Sequence, residues 1–503
     1  MKTCLIESTK ISRRSFLQAL GALTLSGSLA ACGSTGKAKS DRLAAGSLSY
    51  TPDEVVTVEF SDGGITVSPE DAAGLAVEET ALSVSGAGVY ALSGRCVDGS
   101  VKVEAQTEDV VLLLDGLTLT SADTAPIVCG ESTGVTIAVV DGTENTLTDS
   151  EANDPDNAAD NENAEKAVVK CKDGSQVVLC GGGALTVNAL GKNGIKSGTA
   201  LDDRDASLTI RELTLNIEAL VNDAINAEQR LKVESGKLTI AAGEDAIHCD
   251  MELNIGAEGI TGPAITVSTC CEGLEGAILN IHSGNMDITS TDDCLNAANS
   301  DLGDYAFEMN ISGGTIKAYS SGGDGFDSNG TLTITGGDIS VWTANAADNQ
   351  PLDADGRITI SGGTVLAAGG SAGMGFSISA SQPCVTFGGG RDGSLSLAGG
   401  EAFSIADESG KSVLDSTALC DAAFLFYSSP ALTAEGRYSV QSTVTATAKT
   451  GEADAQFGGN GGPGGSGGQR PDGMTPSDGQ MPQGQPPQSD GTTPPELPAA
   501  SSN

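Results

Sequence analysis

The sequence predicts an all-β chain wound as a parallel β-helix. Three observations carry that expectation. A short phrase returns eight times between Gly191 and Ser377. Each return leads into short stretches of alternating apolar and polar residues, which is the period of a strand. Between these stretches stand glycine pairs that supply corners, and no helical apolar period interrupts them.

The phrase reads Asn193-Gly-Ile195, Asp223-Ala-Ile225, Asp245-Ala-Ile247, Glu272-Gly-Leu274, Asp293-Cys-Leu295, Asp324-Gly-Phe326, Gln350-Pro-Leu352 and Met374-Gly-Phe376. Its apolar anchors are 30, 22, 27, 21, 31, 26 and 24 residues apart. A period of about 26 residues belongs to stacked units, and it gives a solenoid of about 12–13 coils. A β-propeller is the alternative, but its blades run to about 40–50 residues. A hairpin is also open to the chain at each glycine pair.

Taken in order, residues 1–31 read as an export signal. Ser12-Arg13-Arg14-Ser15-Phe16-Leu17 fits the twin-arginine pattern, and an apolar run follows that is too short for a mature membrane helix. Leu29-Ala30-Ala31-Cys32 resembles a lipobox, which makes Cys32 the expected lipidated residue; the alternative is a plain cleaved signal. The expected location is the outer face of the bacterial cytoplasmic membrane. Residues 32–54 read as a flexible spacer. The folded domain is expected over 55–448, opening with less regular strands such as Val101-Lys-Val-Glu-Ala and Val135-Thr-Ile-Ala-Val-Val. Residues 149–166 form an acidic loop insertion, either solvated and mobile or an extra cation site. Strands over 384–448 should close the far end of the sheet, whose edge would otherwise be open. Residues 451–503 are rich in Gly, Pro, Gln and Ser and read as a disordered tail.

The formal charge is −41, and the signal holds four of the 26 basic residues. So acidic a chain argues strongly against nucleic-acid binding. It points to divalent cations instead. Ten cysteines remain beyond the signal and Cys32, with no Cys-x-x-Cys pair, so a zinc site is not expected. Cys249 and Cys294 stand where other coils have Ala or Ser, as small core residues do.

Stacking turns the repeat into columns. Two residues before the anchor stand Asn193, Asp223, Asp245, Glu272, Asp293, Asp324 and Gln350. One residue after it, facing outward by alternation, stand Lys196, Asn226, His248, Glu275, Asn296, Asp327 and Asp353. Equivalent positions in neighbouring coils are about 5 Å apart, so carboxylates there repel. A hard cation with oxygen ligands removes that conflict, and calcium tolerates irregular coordination. The candidate ligands are Asp223 with Asp245 and Asp250, Glu272 with Glu275 and Asp293, and Asp324 and Asp327 with Asp353 and Asp355. The competing reading is that these residues only accept backbone hydrogen bonds at corners.

Aromatic residues are 3% of the chain, so their placement carries information. Ile316, Ala318, Ile339 and Val341 should point inward, leaving Lys317, Tyr319 and Trp342 outside. Tyr319 and Trp342 would then lie side by side, either as an exposed sugar platform with Lys317 beside it or as lateral packing under a loop. No nucleophile motif appears, and His248 and His282 read as structural. A β-helix lyase would need calcium and a base, for which Lys196, Lys317 and Arg357 are available in principle. No catalytic residue is assigned.

Several segments resemble a known family: Asp141-Gly-Thr-Glu-Asn-Thr-Leu-Thr-Asp149, Lys192-Asn-Gly-Ile-Lys-Ser197, Gly323-Asp-Gly-Phe-Asp-Ser-Asn-Gly330, Leu352-Asp-Ala-Asp-Gly356 and Ile360-Ser-Gly-Gly-Thr-Val. The chain is similar over roughly 80–450 to bacterial surface carbohydrate-binding proteins with a calcium-bound, right-handed parallel β-helix like that of pectate lyases. The resemblance implies binding of plant cell-wall polysaccharide, notably polygalacturonate or cellulose, without lyase chemistry. It implies calcium at the matching acids Asp324, Asp327, Asp353 and Asp355. Phe326 and Phe376 depart from the aliphatic residue usual there, and cysteine is unusually frequent. The expected partner is therefore a polysaccharide, the expected cofactor Ca2+ and the expected state a monomeric lipoprotein. A calcium-dependent lyase and a surface spacer or adhesin without a sugar site are the alternatives.

Overall fold

The computed structural model describes residues 44–50, 54–303, 305–344, 349–370, 376–389 and 395–455. Cys32, the signal at 1–31, Met374 and the tail from 456 lie outside the described residues.

The described chain is all β, with no α-helix. Most of its strands join one long mixed sheet, built as three ladders. Between its two ends, each strand pairs in parallel with its equivalent one repeat later, not with the strand next to it in sequence. The first ladder runs through Ile127–Cys129, Ala167–Cys171, Asn193–Ser197, Ile225–Ala227, Ile247–Ile255, Leu274–Ile281, Leu295–Ala297 and Phe326–Ser328. The second includes Glu308–Ile311, Thr331–Ile334 and Ile358–Ile360. The third includes Asn285–Ser290, Thr315–Ser320, Asp338–Thr343 and Thr364–Gly369.

The glycine pairs make corners, not hairpins. Glu308–Ile311 and Thr315–Ser320 flank such a pair, yet each pairs only with later or earlier coils. The second glycine of each pair, Gly314, Gly337 and Gly363, has φ of +90°, +100° and +78°, a region closed to most L-residues. Gly363 also packs so close that an added Cβ would lie 2.6 Å from the Gly337 carbonyl oxygen.

Alternation sets the core. The anchors Ile195, Ile225, Ile247, Leu274, Leu295, Phe326 and Leu352 are all buried, and they join one continuous apolar cluster along the ladders. The register stacks the anchors directly, Ile195 on Ile225 on Ile247 on Leu274 on Leu295 on Phe326, with a single bridge from Phe326 to Leu352. Phe326 fits this column, fully buried, although it is larger than its neighbours.

Both ends of the sheet change direction. At the start, Val55–Ser61 pairs antiparallel with Gly64–Ser68, and Leu75–Glu78 with Ala81–Val84. At the far end, Phe424–Ser428 runs antiparallel to Thr364–Gly369, and Lys449–Ala455 antiparallel to Phe376–Gly388. A separate four-stranded antiparallel sheet holds Ala402–Asp407, Ser412–Thr417, Arg437–Val440 and Val444–Thr447.

Two boundaries and the reading of one insertion are corrected. Residues 451–455, expected in the tail, belong to the last strand. Part of the expected spacer is docked: Ala45 is buried, Gly46 N donates to Asp141 Oδ1 at 2.7 Å, and Ser47 N donates to Glu212 Oε2 at 2.8 Å. The acidic insertion is anchored by fully buried Asn153, whose amide nitrogen donates to Asp149 Oδ2 and to the Ala167 carbonyl, both at 2.9 Å. Polar side chains thus hold these segments where the apolar pattern offered no signal.

Candidate functional site: an acid ladder

The register places the outward column as alternation requires: Lys170, Lys196, Asn226, His248, Glu275, Asn296 and Asp327 stand in successive coils. Beside it runs the acid column two residues before each anchor. Asn193, Asp223 and Gln350 of this column are buried and its other members half-buried; in the outward column Asn296 is buried.

Both readings of the acids are realised, on different oxygens. One oxygen accepts a backbone N–H from the next coil. Asp223 Oδ1 takes Asp245 N at 3.1 Å, Asp245 Oδ1 takes Glu272 N at 3.3 Å, and Asp293 Oδ1 takes Asp324 N at 2.6 Å. Asp324 Oδ1 likewise accepts from Gln350 N. The corner hydrogen bond therefore explains the acid's presence but occupies only half of each carboxylate. In Asp223 the other half is also spent, on Asn226 Nδ2 at 2.7 Å, so Asp223 is a structural rung.

Two clusters gather what remains. In one, ligand atoms of Asp324, Asp327 and Asp353 all lie within 4.8 Å of one another. None of the ion pairs among the described residues involves these three. Burial, then Asp353 and Asp327, push Asp324 up to about 7. Burial, then Asp353 and Asp355, push Asp327 up to about 6. In the other cluster Asp245, His248 and Glu275 meet in the same way. His248 Nδ1 lies 3.1 Å from Asp245 Oδ2 and 2.6 Å from Glu275 Oε2, and Nε2 lies 2.9 Å from Asp250 Oδ1. Burial opposes charge on the imidazole, but the three carboxylates outweigh it and hold its pKa well above the ordinary value. Burial, with Asp223 and Glu275, raises Asp245 to about 7 despite His248.

Glu272 and Asp293 lie between the clusters. Burial, then Glu275 and Asp245, raise Glu272 to about 9, while burial, then Asp327, raise Asp293 to about 8. Glu272 accepts from Asn296 Nδ2 at 2.9 Å. That leaves buried Asn296 Oδ1 with no hydrogen-bond partner, and Gln350 Oε1 is in the same state. An uncompensated acceptor in this setting costs roughly 1–3 kcal/mol. Two orphaned oxygens in the acid columns are the donor chemistry that a hard cation takes.

The sequence profile of the carbohydrate-binding domain-containing protein family matches residues 78–373. This chain belongs to that family. Both acid clusters of the family domain fall within the matched stretch. A carbohydrate-binding domain-containing protein of Acetivibrio thermocellus is 32% identical over 146 residues, 29% of this chain and 50% of the relative. The chain thus spans about half the length of the curated relative it matches. A solved structure described as the polysaccharide lyase-like protein from C. thermocellum, a gadolinium derivative, aligns at 22% identity and a TM-score of 0.35, over 56% of this chain and 92% of that one.

Within this carbohydrate-binding domain the aromatic expectation is corrected. Tyr319 and Trp342 are direct register partners on the third ladder, facing away from the main core. Yet Trp342 is fully buried, edge-on to Phe403 at 6.0 Å between ring centroids. It sits in a second apolar cluster with Leu366, Phe387 and Leu425, and Tyr319 packs against that cluster. The C-terminal strands cover the rings, so they form lateral packing and not an exposed platform. Lys317 is exposed and pairs with Asp287 at 3.2 Å.

Other expected ligands disperse. Asp250 binds His248 and does not join Asp223. Asp355 is exposed, outside the compact Asp324–Asp327–Asp353 cluster. His248, Asn296 and Gln350 were visible in the columns but absent from the candidate ligands. Their signal is a non-acid beside crowded acids: Gln350 within the acid column, His248 and Asn296 in the outward column next to it.

Proposed function

We propose that this protein binds polysaccharide non-catalytically, through calcium held by Asp324, Asp327 and Asp353. One observation carries the reading: three half-buried carboxylates converge with no protein cation among them. Two oxygens on one calcium at about 2.4 Å each can be at most about 4.8 Å apart, and these ligand atoms meet that limit. Asp293, Asn296 Oδ1 and Gln350 Oε1 are the candidate further oxygens. A carbohydrate-binding family and an acidic surface are then reconciled. Calcium with an open coordination position bridges protein carboxylates to uronate carboxylates of an acidic plant cell-wall glycan such as polygalacturonate; cellulose is the neutral alternative.

The three ladders are read as the faces of a right-handed parallel β-helix, and the protein as a monomer tethered at the cell surface through lipidated Cys32. Lyase chemistry requires a base beside the metal. Of the candidate bases, Lys317 is paired with Asp287 and Lys196 with Glu228, which favours binding without turnover.

Calorimetric titration of metal-stripped protein with calcium, followed by polygalacturonate with and without calcium, tests the reading. Calcium binding that is lost in Asp327→Asn, together with calcium-dependent glycan binding, supports it. No binding at millimolar calcium sinks it. Growth of absorbance at 235 nm from polygalacturonate would show a lyase instead.

A further inference from the structure

The outward column does not begin acidic. Residues 166–196 hold five lysines, Lys166, Lys170, Lys172, Lys192 and Lys196, against a single acid, Asp173. This is an isolated basic stretch in a chain of net charge −41. Three of the lysines are neutralised from outside it. Lys172 pairs with Glu165 at 2.7 Å, Lys192 with Asp156 at 3.4 Å and Lys196 with Glu228 at 2.9 Å. Lys196 Nζ also donates to Asn226 Oδ1 at 2.8 Å.

Lys170 is different. It is the direct register partner of Lys196, one coil earlier, and is half-buried. Among the described residues its ammonium has no hydrogen-bond or ion-pair partner. Half-burying a charge without a hydrogen-bond or ion-pair partner costs free energy, and stacking it on a second lysine adds repulsion that Glu228 and Glu165, already engaged by Lys196 and Lys172, offset only in part. An anion placed there removes both costs.

We propose that Lys170, with Lys196 beneath it, is a carboxylate-binding subsite that holds a uronate of the same glycan without a cation. This rests on the polysaccharide reading above and adds a second, metal-independent contact to it. Lys196 and Asp327 stand five coil steps apart in one column, about 24 Å along the ladder. A polyuronate laid along that column offers carboxylates to both. Its charge is matched at one end by ammonium groups and at the other by a metal bridge. A neutral glycan has no use for the lysine end.

The test uses the whole chain and oligogalacturonate, measured by calorimetry in chelator and in calcium, at low and high salt. The methyl-esterified oligomer is the control for carboxylate recognition. The wild type is expected to bind oligogalacturonate in chelator at low salt, to lose it at high salt, and to ignore the methyl ester. Lys170→Gln should weaken binding in chelator about tenfold, and Lys170→Arg should restore it. Because the lost ammonium is unpaired, Lys170→Gln should melt no lower than the wild type, which separates loss of binding from loss of fold. Wild-type binding abolished by chelator overturns the subsite and leaves the calcium reading standing. Binding that persists in chelator and gains nothing from calcium does the reverse. Equal affinity of Lys170→Gln and wild type in both conditions also overturns the subsite, and absence of binding in every condition overturns both readings.

Discussion

At residues 245–275 three carboxylates, Asp245, Asp250 and Glu275, converge on one imidazole; at residues 324–353 three carboxylates converge on one another. The two places occupy the same two columns of the same ladder, three coils apart. Crowded acids need a cation, and the chain supplies one at the first place by standing His248 where the second has Asp327. The difference teaches that a column position matters less for its own charge than for the charge its neighbours leave unbalanced.

The largest effect should come from removing the internal cation. His248→Gln leaves Asp245 and Glu275 facing each other half-buried. Breaking such a pair should cost about 3 kcal/mol at neutral pH, read from chemical denaturation in chelator. If the comparison is sound, the same variant also acquires a calcium response at the first cluster. A variant as stable as the wild type would break it.

Next in size is calcium itself. At pH 8, calcium at 100 times its dissociation constant should stabilise the folded protein by about 2.7 kcal/mol per site, seen as a rise in melting temperature. Asp353→Asn should reduce that rise while leaving the metal-free protein at least as stable as the wild type, because it removes a repelling carboxylate.

The pH profile sharpens the contrast further. In the metal-free protein, Asp324, Asp327, Glu272 and Asp293 have folded pKa values of about 7, 6, 9 and 8, all above the ordinary carboxylate range. The native state therefore holds protons that the unfolded chain releases. The stability they contribute is complete below about pH 4 and is lost progressively as pH rises from there through the folded values, the last of it at about 9. His248, also raised, adds to the same fall, since its contribution is complete below about pH 6.5 and is lost above it. Melting temperature in chelator should drop across this window, and calcium should flatten the drop. A profile that rises toward pH 9 without metal would contradict the charge state assigned to the ladder. The smallest effect is expected from Asp355→Asn. As an exposed group outside the cluster it should change calcium affinity and stability by less than about 0.5 kcal/mol.

The anchors and the small residues beside them were legible because stacking imposes the same demand on every coil. Ile195 through Leu352 had to be apolar, and Gly194, Ala224 and Cys294 had to be small, whatever the loops between them did. The outward column was legible for the same reason. Asp355, expected as a ligand from the family resemblance, stands outside the cluster because past Leu352 the chain forms only an isolated bridge and then no strand until Ile358. Asp250 was misread because the register shifts between Cys249 and Glu252. Trp342 was misread for another reason. Its position in its own coil was right, but the strands that bury it lie some 45 to 85 residues later and carry no repeat, so no period announces them. His248 was discounted as a lone histidine because its three carboxylates come from its own coil and the next, and only the register brings Glu275 beside it.

The reversed strands at the two ends carry a further meaning. A stack of parallel rungs with equal top and bottom faces is a template for its own extension, and chains that expose such faces grow into fibres. Here Gly64–Ser68 and Leu75–Glu78 at one end, and Phe424–Ser428 and Lys449–Ala455 at the other, occupy those faces with strands of the wrong direction for continuation. The molecule thereby has a fixed length. Its acid clusters along the column keep a set number and spacing, which under the proposed function makes it a ruler against a polymer that has neither.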